Sequence, residues 1–101
     1  MMQKIVQEFT AQHNLSCGVQ TRYLDFVSET GELGKEILKS TNYGKNDFTV
    51  TETAVEEMGD CLFSLLALCN EMNIEAEEAL KYAIEKYRKR FSAKGAIDSG
   101  R

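Results

Sequence analysis

The chain has 101 residues, enough for one domain with a modest core and few enough that self-association would add to its stability. It has no proline, its glycines are scattered, and Ala, Leu, Glu and Lys are plentiful, so an all-α fold is expected. An excess of 16 Asp and Glu over 12 Lys and Arg argues against a general nucleic-acid-binding face, and the longest apolar run is too short to span a membrane.

Taken in chain order, Ile5, Val6 and Phe9 fall at helical spacing within residues 2–12, an amphipathic start without the apolar centre of a signal peptide. The segment HNLSCG then breaks the pattern, so a first short helix should end near His13, the single histidine, which reads as a surface or capping residue. A second helix is expected over residues 20–39. STNYGKNDFT follows as the one long loop, with Asx-type turn chemistry. The third helix should span residues 51–72, with Thr49 or Thr51 as N-cap and Asn73 closing it. EAEEALKYAIEKYRKRF makes a fourth, with Leu80, Ile84, Tyr87 and Phe91 on one face and Glu77–Lys81 and Glu85–Lys89 as favourable pairs. SAKGAIDSGR reads as a frayed tail. No repeat, linker or second domain interrupts residues 1–101. Cys17, Cys61 and Cys69 form no C-x-x-C pair and fit reduced thiols, so the expected location is cytoplasmic.

The acids of the third helix pose a question, because Glu56, Glu57 and Asp60 lead straight into an apolar run, where uncompensated charge is costly. At about 100° per residue, Val55, Met58, Leu62, Leu65, Leu66, Cys69 and Met72 share one stripe, and the acids lie opposite it. Beyond Asp60 the helix is apolar nearly all round, which implies burial on more than one face. The second helix repeats the arrangement: Glu29, Glu32 and Glu36 fall within a sector of about 60°, with Leu24, Phe26, Val27, Leu33, Ile37 and Leu38 around the rest and Lys35 and Lys39 at the edge. Either helix alone reads as a solvated acidic face. Two in one small chain could instead set Glu29 and Glu32 opposite Glu57 and Asp60, the oxygen-rich grouping that a hard cation such as Mg²⁺ requires. Without a cation, such a partly buried cluster would have to protonate or come apart.

The segments SETGELGKEIL and VEEMGDCLF together resemble the ExxE and ExxD pair of the MazG-like nucleotide pyrophosphohydrolases, members of the all-α NTP pyrophosphatase superfamily. AIEKYRKRF is similar to the close of the same domain, and the likeness runs from about Val19 to Phe91. The resemblance implies a four-helix MazG-like bundle in a single domain, assembled as a homodimer or homotetramer with sites involving both protomers. It implies Glu29, Glu32, Glu57 and Asp60 as Mg²⁺ ligands, with Mn²⁺ as a substitute, and one of Glu29, Glu32 and Glu56 as the group that takes a proton from water. Lys86 and Arg90 would bind substrate phosphates, although cations near a helix C-terminus also favourably oppose its dipole. The implied reaction is hydrolysis of an NTP or dNTP to the monophosphate and pyrophosphate in nucleotide-pool housekeeping. Ile84 stands where many MazG domains carry an asparagine, which implies a missing or replaced nucleotide contact. Tyr23, Phe26, Asn42 and Tyr43 are candidates for contacts to the base.

Two other classes compete with this reading. A non-catalytic helical oligomer, serving interaction or regulation, would carry the acids as a solvated face and show no Mg²⁺-dependent stability. A di-iron carboxylate bundle needs Glu-x-x-His pairs, and one histidine cannot supply them. KYRKR is too short a basic patch, on an acidic chain, to argue for nucleic acid.

Overall fold

A computed structural model describes residues 1–94 and contains four helices in that span, with no strand: α1 (Met2–Gln12), α2 (Val19–Ser40), α3 (Glu52–Glu71) and α4 (Ala76–Lys94). The all-α, four-helix expectation is borne out. The helix expected to stop near Phe91 continues to Lys94, and the rest of the expected frayed tail lies outside the described residues.

Local chemistry sets the helix ends. Thr51 caps α3, its Oγ1 accepting the Ala54 N–H at 3.0 Å, and Glu52 in the first turn favours the positive end of the helix dipole. Helices α1, α2 and α3 all stop by the same device: Asn14, Asn42 and Asn73 follow the C-caps with φ of 57°, 49° and 56°. Asparagine tolerates this left-handed conformation better than most residues. The amide after each one then reaches back to a free carbonyl: Leu15 to Thr10 at 2.8 Å, Tyr43 to Leu38 at 2.6 Å and Ile74 to Cys69 at 2.9 Å.

Two helix pairs make the extended packing, α2 on α3 and α1 on α3. Both neighbours run antiparallel to α3, since rising positions on each meet falling positions on α3, as in Asp25 with Ser64 and Glu36 with Thr51, or Gln3 with Asn70 and Phe9 with Phe63. The apolar core is small: Val6, Leu66 and Ala67, backed by Phe63 and Ala76. The Gln3 side chain ties the α3–α4 corner to α1, donating to Asn70 Oδ1 at 3.0 Å and to the Ile74 carbonyl at 2.7 Å while accepting the Ala76 N–H at 2.7 Å. Beyond that anchor the apolar face of α4 (Leu80, Ile84, Tyr87, Phe91) is exposed.

The helices turn the less expected side inward. Most of the large apolar stripe of α3 faces out within this single chain, with Val55 60% and Met58 56% exposed and Leu62, Leu65 and Met72 also open, whereas Leu66 is buried in the core and Cys69 is half-buried. The side toward α2 is built from Ala54, Cys61 and Ser64 among the acids. On α2 the inward positions are Arg22, Asp25, Phe26, Glu29, Leu33 and Glu36, while Leu24, Val27, Ile37 and Leu38 are exposed. Small side chains let two backbones approach and leave room for carboxylates, so the α2–α3 seam is polar and the outer faces apolar. All three cysteines are free thiols, with Cys61 buried and Cys17 exposed.

Candidate metal centre

Four carboxylates of α2 follow one line along the seam at positions 25, 29, 32 and 36, and their surroundings separate them into two kinds. The outer two have hydrogen-bond donors from α3. Ser64 Oγ donates to Asp25 Oδ2 at 2.9 Å, and Thr51 Oγ1 donates to Glu36 Oε2 at 2.8 Å. Asp25 also pairs with Arg22 Nη1 at 3.3 Å, and the same buried guanidinium donates from Nη2 to the Leu15 carbonyl at 2.9 Å.

The inner acids meet other acids. One carboxylate oxygen from each of Glu29, Glu57 and Asp60 lies within 4.8 Å of the other two. Glu29 and Glu57 are half-buried and Asp60 is exposed, so the cluster opens to solvent on one side. Burial pushes the Glu29 carboxyl above its ordinary range, helped by the negative charges of Asp60, Asp25 and Glu32. Glu57 rises for the same first reason, then through hydrogen bonding of its protonated form to Asp60 and repulsion from Asp60, Glu32 and Glu29. Among the described residues, the ion pairs are Arg22–Asp25 and Lys81–Glu78, and neither includes a member of the cluster. Three oxygen donors from two helices, with their negative charge uncompensated by a cationic side chain, fit a hard divalent cation of the Mg²⁺ type.

Glu32 is exposed and near enough to raise Glu57 and Glu29, though outside the group of three oxygens. Glu56 is exposed and also outside that group. Lys86 lies over the Tyr87 ring at 5.3 Å, and Arg90 is half-buried one turn later on α4. The expected Glu77–Lys81 pair is replaced by Lys81 with Glu78 at 3.1 Å. Of the base-contact candidates, Phe26 is half-buried, while Tyr23, Asn42 and Tyr43 are exposed, the last two in the left-handed turn after α2. Sequence reasoning missed Asp25, Ser64 and Arg22. The available signal was the spacing of Asp25, one turn before Glu29, and the lone hydroxyl of Ser64 in an apolar run.

At the far end of the seam, Glu71 in the last turn of α3 accepts the Cys17 N–H at 3.0 Å and the Ser16 hydroxyl at 3.1 Å. These bonds, led by that from Cys17, hold its carboxyl below the ordinary range, with Arg22 contributing.

A family model described as the MazG nucleotide pyrophosphohydrolase domain matches residues 18–93, a span that holds α2, α3 and nearly all of α4. The chain is 37% identical over 67 residues to the uncharacterized protein YpjD of Bacillus subtilis (strain 168), an alignment covering 63% of this chain and 59% of that protein. The chain therefore matches about three fifths of the length of this curated relative. No solved structure matches.

Proposed function

The chain belongs to the MazG nucleotide pyrophosphohydrolase family, and on that premise we propose that it hydrolyses a nucleoside triphosphate, NTP or dNTP, to the monophosphate and pyrophosphate. The observation that carries the reading is the meeting of Glu29, Glu57 and Asp60 from two antiparallel helices, with no ion pair to any of them among the described residues. Glu29, Glu57 and Asp60, with Glu32 beside them, would hold Mg²⁺ or, in its place, Mn²⁺. When bound, such an ion supplies neutralisation of phosphate charge and a water of lowered pKa.

The chain's own groups do the rest. Water attacks the α-phosphorus, the bond to the oxygen bridging the α- and β-phosphates breaks, and pyrophosphate leaves. One of Glu29, Glu32 and Glu56 takes the proton from that water, which calls for a carboxylate within hydrogen-bond reach. Lys86 and Arg90 bind the triphosphate, Arg90 through its planar fork of donors. The exposed apolar faces of α2, α3 and α4 support a homodimer or homotetramer, because contiguous apolar surface of this extent is uncommon on monomers. No described helix is long and apolar enough to cross a membrane. A cytoplasmic role in keeping the nucleotide pool is consistent with the free thiols.

The deciding experiment is a screen of NTPs and dNTPs with Mg²⁺ or Mn²⁺ that reads pyrophosphate against orthophosphate. Pyrophosphate as first product supports the reading; orthophosphate as first product, or no turnover of any nucleotide, overturns it.

A further inference from the structure

We infer that Asp25 and Glu36 are positioning residues: hydrogen-bonded to Ser64 and Thr51, they pin the register of α2 against α3 so that the acids between them meet at one point. The inference rests on the metal reading of Glu29, Glu57 and Asp60.

The acids along the seam divide into two kinds. Asp25 lies one turn before Glu29, and Glu36 one turn after Glu32. Each outer acid receives a hydroxyl from α3, at 2.9 Å and 2.8 Å, whereas the inner acids receive none among the described hydrogen bonds. Ser64 is the most buried polar residue among those described, 2% exposed, in a stretch, residues 62–68, otherwise occupied by Leu, Ala and Phe. A hydroxyl at such a depth is costly unless bonded, and Asp25 is its acceptor. Thr51 uses one oxygen twice, donating to Glu36 while accepting the Ala54 N–H, so the start of α3 and its alignment with α2 are set by the same atom.

Alignment has to be enforced because the cluster opposes its own assembly. Like charges on facing helices favour sliding or separation, and a shift of one residue turns each acid by about 100° and moves it by about 1.5 Å. Two hydrogen bonds flanking the cluster hold the register before any cation arrives, and Arg22 restrains the Asp25 end by pairing with the same Oδ2 that Ser64 reaches. Groups that orient ligands in this way affect metal affinity without touching the metal.

The test is titration of the full chain with Mn²⁺, following the electron paramagnetic resonance signal of the free ion, alongside metal-free circular dichroism. Ser64→Ala and Glu36→Ala are expected to weaken Mn²⁺ binding by about tenfold to a hundredfold, with the helical signal retained. Glu36→Gln keeps an acceptor for Thr51 and is expected to bind Mn²⁺ as the unmodified chain does. If Glu36→Gln loses as much as Glu36→Ala, Glu36 acts through its charge and the positioning role is overturned. Equal binding by all variants overturns it as well. Should Ser64→Ala fail to fold, the two Glu36 variants decide. An unmodified chain that takes up no Mn²⁺ overturns the metal reading and this inference with it, whereas equal Mn²⁺ binding by every variant overturns this inference and leaves the metal reading standing.

Discussion

Glu29 on α2 and Asp60 on α3 bring carboxylate oxygens within 4.8 Å of each other across the seam, with Glu57 completing the group. Burial and the charge of Asp60 both raise the proton affinity of Glu29 and of Glu57, so in the metal-free chain the contact is a repulsion held in place by the rest of the fold.

Asp60→Asn removes one of these charges and one oxygen of the required hardness. The metal-free melting temperature should not fall. The stabilisation by Mg²⁺, about 2.7 kcal/mol when the free ion is at a hundred times its dissociation constant in the unmodified chain, should be lost, and the rise in melting temperature with it. Pyrophosphate release should be lost with it. Differential scanning calorimetry with and without Mg²⁺ checks the first two points, and an unmodified chain with no Mg²⁺-dependent rise would return the acids to the role of a solvated face.

The pH dependence of the metal-free chain follows from the direction of each shift. Glu29 and Glu57 bind protons more tightly folded than unfolded, so their contribution to stability is fully present below the ordinary value of 4.5 and is lost as pH rises through their raised folded values. Glu71 acts oppositely: its contribution is present above 4.5 and is lost as pH falls through its lowered folded value. The metal-free melting temperature should therefore increase on mild acidification from neutrality and decrease at stronger acid. With saturating Mg²⁺ the first of these trends should reverse, because protons compete with the ion for Glu29 and Glu57. Melting curves at a series of pH values, with chelator and with Mg²⁺, read both.

Glu71→Gln tests the clasp between the end of α3 and the turn that begins α2. The variant keeps an acceptor but loses the charge that strengthens the bonds from Cys17 and Ser16. At this partly exposed position the cost should be about 1 kcal/mol, within the usual range for hydrogen bonds to charged groups after allowance for solvent. Urea unfolding at neutral pH measures it, and the difference from the unmodified chain should disappear at strong acid, where Glu71 is protonated in both states.

Met58→Lys places a charge in the exposed apolar stripe of α3 while leaving the acid side of that helix alone. If the stripe lies against a second copy, the sedimentation coefficient should fall to that of a smaller species and the circular dichroism should stay helical. An unmodified chain that sediments as a monomer would remove the homo-oligomer from the proposed function.

The helices were legible because their signals are local. Apolar spacing, the Thr51 cap and the asparagines after α1, α2 and α3 act within a few residues, and all of them are present in the primary structure. The same holds for the acids: the spacing of Glu29 and Glu32, and of Glu57 and Asp60, marked them as groups that could share one point. Asp25 and Ser64 were missed because their roles exist only as a pair 39 positions apart in sequence.

By itself, then, the sequence determined an all-α chain with two acid-bearing helices and a family signature spread over most of its length. Tertiary structure decided which side of each helix turned toward its neighbour. Periodicity marks an apolar stripe without saying whether it will be covered by the same chain or left open, and here Val55 and Met58 are left open while the small residues and carboxylates of α3 meet α2. That choice depends on how closely two backbones can approach, a property of the packed pair that neither helix carries alone.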